Sequence, residues 1–533
     1  MDMTRPLRIG VLVGHKDGFE NWELMVFDRV LADPRFELVT LLVHPRAFGN
    51  RKTSSLFALE ARLEGKLLAR QPAYIPKHFD AGRQRVDYLE AIGGRNTTDG
   101  SVASALLKRL DLDLVIRTTP EGLPDDAIRA LPFGEWAFNF SDQRSEHADW
   151  YSYADVIARA PVTDLTLYAK RGDETQLAQI ATSSFNIKFS AARNAAFVRE
   201  RGVTLLMREL GRLADTRQLD TTALARPPVT SAPSFGDLFR YTGALSGYLS
   251  AKALKALKSK LRFGSSIWTL YTGRGRIDDF DPSQAIEIPP TKGDIKADPF
   301  LFQHDGECYL FYEAYADGDR KAHIAVGRFN GDKIERLGVA LDCPHHLSYP
   351  FVFRDGDDIF MMPEAHQSHR LEIWRCTEFP LKWELYSTAL EGQSAADSIL
   401  TRHGNKWWLF TNLSDHHAYE DHCNELYVFE VDGPELKRVV PHKRNPVVIG
   451  STVARNAGRI FERDGKIYRP SQRNSHGLYG YGLNIMEIEE LTLDHYRERC
   501  IRTITPDFKT GLLGCHHFDA AGGRYIMDAR LSI

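Results

Sequence analysis

The sequence lacks a long hydrophobic run, a paired-cysteine motif and an excess of charge of one sign. No stretch approaches the roughly 18 consecutive apolar residues of a membrane-spanning helix. The 68 basic and 71 acidic side chains give a net charge of -3, which argues against binding of nucleic acid by electrostatic attraction. The six cysteines form no CxxC pair, so we expect buried thiols rather than a disulfide framework or a zinc site.

The first residues also lack the apolar core and small-residue cleavage site of a secretory signal. Residues 1–6 lead directly into a strand-like segment at Leu7–Val13. We therefore expect a cytoplasmic location. A chain of 533 residues is too long for one domain, and two or three domains are expected.

The N-terminal region has the pattern of an α/β domain. Short apolar runs at Ile9–Val13 and Leu38–Val43 flank an amphipathic stretch at Trp22–Leu31. A helical pattern at Ala103–Leu110 is followed by a buried-strand pattern at Leu112–Ile116. Strands that alternate with helices predict a parallel sheet, in a domain that we place at residues 1–218.

Part of this region resembles the formyltransferase fold, through Leu112–Ile116, Leu123–Ile128 and Trp136–Ser141. That family, which includes methionyl-tRNA and sugar formyltransferases, has an Asn-x-His motif whose Asn polarises the formyl group and whose His handles protons. Asn139 matches the Asn, but Ser141 stands where the His would be. Formyl transfer without this acid–base group loses its proton shuttle. The resemblance therefore implies a Rossmann-like scaffold that binds or docks, with no working formyl site.

A segment of different composition, residues 219–266, follows this domain. Residues 219–234 are rich in Pro, Thr and Ser, as is typical of a linker. Beyond them, apolar residues fall on one helical face: Leu245, Tyr248, Leu249, Leu254, Leu257 and Leu261. Basic residues follow the same stretch: Lys252, Lys255, Lys258, Lys260 and Arg262. Residues 243–262 could contact an anionic membrane surface; the alternative is a helix that connects two domains and exposes its lysines to water.

Residues 267–533 repeat one pattern five times: an apolar strand, a tight turn with Gly, and a second apolar strand. Self-similarity at a period of roughly 45–60 residues predicts a β-propeller, in which each copy supplies one four-stranded blade. Five copies predict five blades. Trp268–Tyr271 has strand character, and we expect it to supply the outer strand that closes the last blade, because the chain ends soon after Asp528.

In three copies, the residue that heads the first strand lies 15 positions before the residue that ends the second, as Asp298 does before Glu313. A hairpin of this shape brings both ends to the same mouth. The predicted inner ring is Asp298, Tyr349, Asp397, Asn456 and His516 or His517. The predicted second ring is Glu313, Glu364, Asn412, Gln472 and Asp528. Such a mixture of carboxylates, amides and rings suits sugar hydroxyls, and its carboxylates could perform acid–base work.

Two arginines and two histidines complete the candidate site. Arg455 and Arg469 could neutralise the acidic cluster, or bind a phosphate or a carboxylated sugar. His516 and His517 are adjacent, so on a strand they face opposite sides and make a poor chelate. We expect no metal and no other cofactor.

The copies resemble those of glycoside hydrolase family 43, the five-bladed arabinanases and xylosidases. Asp298-Pro299-Phe300 resembles the first-blade motif, which implies that Asp298 is a general base, and Asp397 matches the Asp that tunes the pKa of the acid. The family's general acid is a Glu that opens the fourth blade, but Asn456 stands there. Because an amide cannot donate this proton, a hydrolase would need Glu364 or Glu313 as a replacement acid. Restoring a Glu at position 456 is then expected to raise hydrolysis.

A further resemblance covers residues 267–533. It is carried by Lys296–Leu301, Tyr309–Glu313, Ser348–Pro350, Met362–Glu364 and Tyr468–Gln472. These segments resemble the N-terminal propeller of plant glucosamine inositolphosphorylceramide transferases and their bacterial relatives. The resemblance implies a role in glycan or glycolipid assembly, with a sugar, nucleotide-sugar or glycolipid substrate and no nucleic-acid partner.

Three functions remain open at this point. The first is a glycosyl-transferring enzyme of envelope glycan or glycolipid biosynthesis, with the sugar in the axial pocket of the propeller. The others are a glycoside hydrolase with a replaced general acid, and a non-catalytic sugar-binding module. Candidate catalytic residues are Asp298, Asp397 and Glu364. Candidate substrate-binding residues are Glu313, Tyr349, Arg455, Asn456, Arg469, Gln472, His516, His517 and Asp528. We predict that the carboxyls of Asp298 and Asp397 face one pocket, roughly 6.5–9.5 Å apart.

Overall fold

The chain forms two compact units, Met1–Ser250 and Ala251–Ile533. The computed structural model describes residues 5–14, 19–43, 55–68, 87–89, 100–119, 122–141, 153–172, 177–223, 234–260, 266–289, 294–316, 321–414 and 421–532. In this described part, no helix has the length and apolar character needed to cross a bilayer.

The first unit is an α/β domain. Its strands are β1 (Leu7–Val13), β2 (Phe36–Val43), β3 (Asp87–Leu89), β4 (Leu114–Arg117), β5 (Glu135–Phe138), β6 (Val162–Lys170), β7 (Ala178–Asn186) and β8 (Thr222–Ala223). Its helices are α1 (Asn21–Ala32), α2 (Ser55–Leu68), α3 (Gly100–Leu110), α4 (Asp125–Ile128), α5 (Tyr153–Ala158) and α6 (Ala191–Thr216). Helix α7 (Phe235–Lys260) begins in this unit and continues past its boundary at Ser250. The segments predicted at Ile9–Val13, Leu38–Val43 and Trp22–Leu31 are confirmed as β1, β2 and α1.

The sheet of this unit is mixed rather than parallel throughout. Its order is β3-β2-β1-β4-β5-β6-β7-β8. Strands β1 to β5 pair in parallel, as expected for strands that alternate with helices. Strands β5 to β8 pair antiparallel. Strands β6 and β7 are joined by only seven residues, and so short a connection reverses the strand direction.

Asn139 follows the end of β5, as its predicted position requires. Its side-chain amide donates to the carbonyl of Asp164 (3.1 Å), and its Oδ1 accepts from the amide of Thr166 (3.3 Å). The side chain therefore joins β5 to β6. The side chain of Ser141 lies outside the described residues, and the formyltransferase-like character of the unit stays a prediction.

The segment between the two predicted domains is partly ordered into secondary structure. Strand β8 lies within the predicted linker and pairs with β7, while residues 224–233 lie outside the described part. The helix predicted over 243–262 is present as α7, which begins earlier, at Phe235. The boundaries 1–218, 219–266 and 267–533 stay predictions.

The second unit is a five-bladed β-propeller, as predicted. Blade 1 contains β11 (Asp294–His304), β12 (Glu307–Ala316), β13 (His323–Asn330) and β14 (Lys333–Leu341), after β9 (Ser266–Arg274) and β10 (Ile286–Ile288). Blade 2 contains β15 (Ser348–Asp355), β16 (Asp358–Glu364), β17 (Leu371–Glu378) and β18 (Lys382–Ala389). Blade 3 contains β19 (Ser394–His403), β20 (Lys406–Ser414), β21 (Glu425–Val431), β22 (Val439–Pro441) and β23 (Val448–Ile449). Blade 4 contains β24 (Phe461–Arg463), β25 (Lys466–Ser475), β26 (Leu478–Leu491) and β27 (Tyr496–Ile504).

Blade 5 is built from both ends of the unit. It combines β9 and β10 with β28 (Leu512–Gly514), β29 (Phe518–Ala521) and β30 (Arg524–Ser532). Strand β9, which contains Trp268–Tyr271, pairs with β30 along its whole length. The predicted closure is therefore present, but β9 is the third strand after β29 and β30, and β10 is the outermost.

The first strands of blades 1, 2 and 3 share one bulge. The pairing register shifts between Ala297 and Phe300, between Ser348 and Phe351, and between Ala396 and Ile399. The bulged residues have positive φ angles: 49° at Asp298, 47° at Tyr349 and 45° at Asp397. Non-glycine residues seldom adopt this backbone, and a bulge redirects a side chain. The repeats therefore use the same device to orient the residue that heads each first strand.

The cysteines only partly follow their predicted burial. Cys343 and Cys515 are buried, whereas Cys308, Cys376 and Cys423 are partly exposed. Cys500 is exposed, because β27 is the outermost strand of blade 4 and most of its side chains face water. The prediction of uniformly buried thiols was wrong at this position.

Candidate active site

A cavity of about 230 Å³ lies at the bulged starts of the first strands. It is lined by Trp268, Ala297, Asp298, Glu313, Tyr315, His346, Ser348, Glu364, Arg455, Tyr479 and His516. The predicted site residues Asp298, Glu313, Glu364, Arg455 and His516 are thus brought together. Carboxylates, imidazoles, a guanidinium and aromatic rings around a small cavity provide both hydrogen bonding and apolar contact.

Each hairpin brings the end of its second strand to the start of its first, as the 15-residue spacing predicted. Ala297 pairs with Glu313 in blade 1, and Ser348 pairs with Glu364 in blade 2. The bulge adds one residue after each pairing position, which places Asp298 beside Glu313. The end of the second strand and the start of the first therefore meet at the cavity.

Asp528 organises the part of the site formed by blades 1 and 5. Its Oδ2 accepts from the backbone amide of Asp298 (3.1 Å). Its Oδ1 accepts from the backbone amides of His516 (3.1 Å) and His517 (3.0 Å), and its carboxylate also accepts from Nδ1 of His516, 2.7 Å from Oδ2. Asp528 is fully buried, and despite burial the nearby His516 lowers its pKa. It positions other residues rather than lining the cavity.

The two histidines have different roles, although both lie beside Asp298. Burial would lower the pKa of His516, but the charge of Asp528 and the hydrogen bond to it raise that pKa instead. Nε2 of His516 then faces Asp298, 3.7 Å from Oδ1. Burial lowers the pKa of His517 to about 3. Nδ1 of His517 lies 3.6 Å from Oδ1 of Asp298.

Asp298 and Glu313 form a carboxyl pair that favours protonation. Burial raises the pKa of Asp298 to about 6, with further contributions from the charges of Asp528 and Glu364. Burial, followed by the charge of Asp298, raises the pKa of Glu313 well above its ordinary value, and the two carboxyls hydrogen-bond to each other. Burial and the nearness of the two carboxyls therefore favour protonation of the pair over a state with two negative charges. His346 lies close by, with Nε2 3.4 Å from Oε1 of Glu313.

The pKa of Glu364 is shifted in the opposite direction from those of Asp298 and Glu313. Burial opposes its ionisation, but Nδ1 of His366 donates to its Oε1 (2.9 Å), and this hydrogen bond and the charge of Arg455 hold its pKa below the ordinary range. A carboxylate held in this way does not supply a proton. The prediction that Glu364 replaces the missing general acid finds no support in this geometry.

Arg455 joins the third and fourth blades to the site. Its Nε donates to Oδ2 of Asp397 (2.6 Å), and its Nη2 donates to Asp397 Oδ1 and Glu364 Oε2 (both 3.3 Å). Gln472 also donates to Oδ2 of Asp397 (3.3 Å). Burial raises the pKa of Asp397, and so does its hydrogen-bonded neighbour Glu364, although Arg455 opposes this. Asp397 does not line the cavity, so its predicted shared pocket with Asp298 is not seen, and it acts through Arg455.

An aromatic wall forms one side of the cavity. The rings of Trp268 and His516 are stacked, with centroids 4.0 Å apart at 18°. Tyr479 meets His516 edge-on at 5.3 Å, and the guanidinium of Arg455 lies over the Tyr479 ring at 5.2 Å. Such a surface can pack against the apolar face of a pyranose.

Four predicted substrate-binding residues lie behind the cavity instead, where internal bonds occupy them. The hydroxyl of Tyr349 accepts from the amide of Gly458 (2.7 Å). The amide of Asn456 donates to the carbonyl of Asp397 (2.8 Å), and Gln472 contacts the same residue. Arg469 is fully buried and donates twice to Glu498, at 2.6 and 2.9 Å. The bonds of Tyr349, Asn456 and Gln472 join different blades, whereas those of Arg469 join two strands of blade 4, and we assign these residues a structural role.

The sequence did not indicate several residues that line the cavity: Trp268, Ala297, Tyr315, His346, Ser348 and Tyr479. Trp268 precedes the repeats and reaches the site only because β9 closes blade 5. Tyr479 follows a tight hairpin in blade 4, and His346 lies in the connection between blades 1 and 2. Ser348 carried a weak signal, since it directly precedes the bulge residue Tyr349.

One group of side chains could hold a cation. Ligand atoms of Asp298, His516 and Asp528 lie within 4.8 Å of one another, all buried. The sequence considered only His516 with His517 and did not anticipate that two carboxylates join His516. Two carboxylates and an imidazole suit a hard or borderline divalent ion.

Comparison with known proteins supports the predicted likeness of the propeller. Residues 287–512 match the family model described as glucosamine inositolphosphorylceramide transferase 1, N-terminal. The chain is 36% identical over 244 residues to glucosamine inositolphosphorylceramide transferase 1 of Oryza sativa subsp. japonica, a match that covers 43% of this chain and 32% of the relative. The protein of the same name from Arabidopsis thaliana is 36% identical over 207 residues, with 38% and 26% covered.

The chain therefore spans about a third of the length of the rice relative that it matches. Solved structures that match the chain include an exo-β-1,3-galactanase from Phanerochaete chrysosporium, at 9% identity and a TM-score of 0.33. The match covers 44% of this chain and 62% of the galactanase chain. They also include a GH43 β-xylosidase/α-arabinofuranosidase from a compost microbial metagenome, at 13% identity and a TM-score of 0.33 over 45% and 92%. At these values we draw nothing about the site from either enzyme.

Proposed function

We propose that the propeller binds a sugar in the cavity and takes part in glycosyl transfer during glycan or glycolipid assembly. The observation that carries this proposal is the pairing of Asp298 with Glu313 beside the aromatic wall. Asp298 supplies a carboxylate whose pKa of about 6 lies near neutral pH, where a general base works best. The names of the matched relatives support a sugar or glycolipid substrate.

In the proposed reaction, Asp298 accepts the proton of an acceptor hydroxyl as that oxygen attacks the anomeric carbon. The bond from the anomeric carbon to the leaving group breaks at the same time, and the leaving group keeps the electron pair. Neutral Glu313 donates a hydrogen bond to the sugar or to the departing oxygen. A phosphate leaving group needs no proton from the protein, which fits a site whose family acid position holds Asn456.

Hydrolysis of an unactivated glycoside is disfavoured by the same geometry. An inverting hydrolase separates its acid and base by roughly 6.5–9.5 Å to admit water, whereas Asp298 and Glu313 hydrogen-bond directly. Glu364 is held ionised by His366 and Arg455. Neither Glu313 nor Glu364 is therefore arranged as the general acid of such a hydrolase.

The charge of the cavity suggests which part of the substrate it accepts. Among the described residues, Arg455 is the only arginine that lines the cavity, and its guanidinium already binds Asp397 and Glu364. A diphosphate would therefore meet more negative than positive charge. We propose that the neutral sugar ring, rather than the nucleotide, occupies the cavity.

Turnover by the purified full-length protein tests this function. Nucleotide-activated glucosamine and N-acetylglucosamine are supplied with an inositolphosphorylceramide acceptor, and nucleotide-activated hexoses serve as comparison donors. Glycolipid formation that requires both substrates supports glycosyl transfer. Release of free sugar from simple glycosides would favour a hydrolase, and saturable sugar binding without turnover of any donor would favour a binding module.

A further inference from the structure

Helix α7 is anchored to the first unit by one face. Tyr241 is buried, and its hydroxyl donates to Oε2 of Glu64 (2.8 Å) and accepts from the amide of Ala191 (2.8 Å). Leu238 and Leu245 pack in the same cluster. These positions recur at intervals of three and four residues, so they lie on one side of the helix.

The adjoining side of α7 exposes large apolar side chains. Phe235 is 72% exposed and Phe239 is 75% exposed, and they are followed by Leu249 at 37% and Leu254 at 53%. Phe235, Phe239 and Leu249 fall within one narrow sector of the helix at 100° per residue. We call these four residues the α7 stripe. Two phenylalanines this exposed in successive turns are unusual for a surface that meets only water.

The charge of the surrounding chain is of one sign. No Asp or Glu occurs between Leu238 and Ile277. The same interval contains eight basic residues: Arg240, Lys252, Lys255, Lys258, Lys260, Arg262, Arg274 and Arg276. In a chain with a net charge of -3, this is a strong local excess of positive charge.

We propose that α7 docks on an anionic lipid surface, with the α7 stripe inserted at the level of the headgroups. An amphipathic helix with aromatic and leucine side chains on one face and lysines nearby binds membranes in this manner. Each Lys or Arg near an anionic leaflet strengthens binding about fivefold. The one acidic residue of α7, Asp237, is paired with Arg240 (2.7 Å), and beyond it no carboxylate up to Ile277 repels an anionic surface. Because Tyr241 and its neighbours fix α7 to the first unit, docking brings that unit to the membrane.

Sedimentation of the full-length protein with lipid vesicles tests this proposal. Vesicles of phosphatidylcholine alone are compared with vesicles that contain 30% phosphatidylglycerol, roughly the anionic fraction of a charged leaflet. We expect binding to the anionic vesicles, weakened on the order of tenfold or more by F235S/F239S and about 25-fold by K255Q/K258Q. The phenylalanines are exposed, so their replacement leaves the fold intact, which circular dichroism checks.

Two matched controls distinguish binding through α7 from nonspecific binding of the protein to vesicles. L381S/L385S removes two leucines of the propeller that are each 42% exposed, and K333Q/K437Q removes two exposed lysines. Both controls should bind vesicles like the wild type. The proposal is overturned if the wild type ignores anionic vesicles, or if the α7 variants bind as well as the controls. It is also overturned if light scattering shows a dimer that F235S/F239S converts to a monomer, since the stripe would then join two copies of the chain.

Discussion

Replacing Asp528 with Asn should weaken the propeller and disturb the candidate site together. Asp528 accepts four hydrogen bonds, from three backbone amides and from Nδ1 of His516. Asparagine keeps one acceptor oxygen and turns the other into a donor. In the better amide orientation, its NH₂ group faces the backbone N–H of Asp298, and one buried amide loses its partner.

The magnitude follows from these bonds. A buried N–H left without a partner costs about 1–3 kcal/mol, and the remaining bonds lose the assistance of a charged acceptor. We expect a total loss of about 2–4 kcal/mol, which lowers the unfolding midpoint of the propeller by about 5–10 °C. The pKa of His516 should fall as well, because the charge of Asp528 no longer raises it.

Differential scanning calorimetry measures the midpoint, and NMR titration of the imidazole measures the pKa. Asp305→Asn is the matched control, because Asp305 lies in a hairpin turn of blade 1 with its side chain 88% exposed. Asn also tolerates the positive φ of that residue, so its effect should stay within about 0.5 kcal/mol. If Asp528→Asn and Asp305→Asn unfolded at the same temperature, the organising role of Asp528 would be refuted.

Three further predictions concern neighbouring residues. Arg455→Met should cost about 3–5 kcal/mol by chemical denaturation, because it leaves Glu364 and Asp397 buried without their cation; equal stability to the wild type would contradict this. Asn456→Glu should also destabilise the fold, by about 2 kcal/mol or more. It should give no new glycosidase activity, since Asn456 lies behind the cavity, although the sequence alone had predicted a rise in hydrolysis. Release of sugar from a glycoside by this variant would contradict the prediction. Turnover should fall as the pH drops through about 6, because Asp298 loses its carboxylate there. Protonated Asp298 should also stabilise the fold at a pH below its ordinary pKa, and this contribution should be lost as the pH rises through about 6. A turnover that does not fall below pH 6, together with a stability that does not change across that pH, would count against this assignment.

The blade architecture could be predicted because each blade repeats the same short pattern of residues along the sequence. Strand alternation, a glycine turn and a constant 15-residue spacing determine that the start of the first strand meets Glu313 in blade 1 and Glu364 in blade 2. The strand character of Trp268–Tyr271, ahead of the first repeat, predicted that β9 would help to close the final blade.

The direction of each side chain could not be predicted in the same way. A bulge turns Tyr349 toward Gly458 and Asp397 toward Arg455, and a one-residue shift of register leaves no mark in the residue pattern. Trp268 and Tyr479 come from strands far apart in sequence that meet only in the closed propeller. The opposite pKa shifts of Glu313 and Glu364 depend partly on Arg455, which reaches Glu364 from another blade, as well as on the local partner His366.

The most direct test of the proposed function is the ratio of kcat/KM between the wild type and Asp298→Asn on a nucleotide-activated sugar. The substitution keeps the shape of the side chain and removes only the base. We predict a fall of about 10²–10⁴-fold, with sugar affinity by calorimetry changed only a few-fold and Asp305→Asn indistinguishable from the wild type. Equal kcat/KM for the wild type and Asp298→Asn would contradict the assignment of Asp298 as the base of a glycosyl-transferring site.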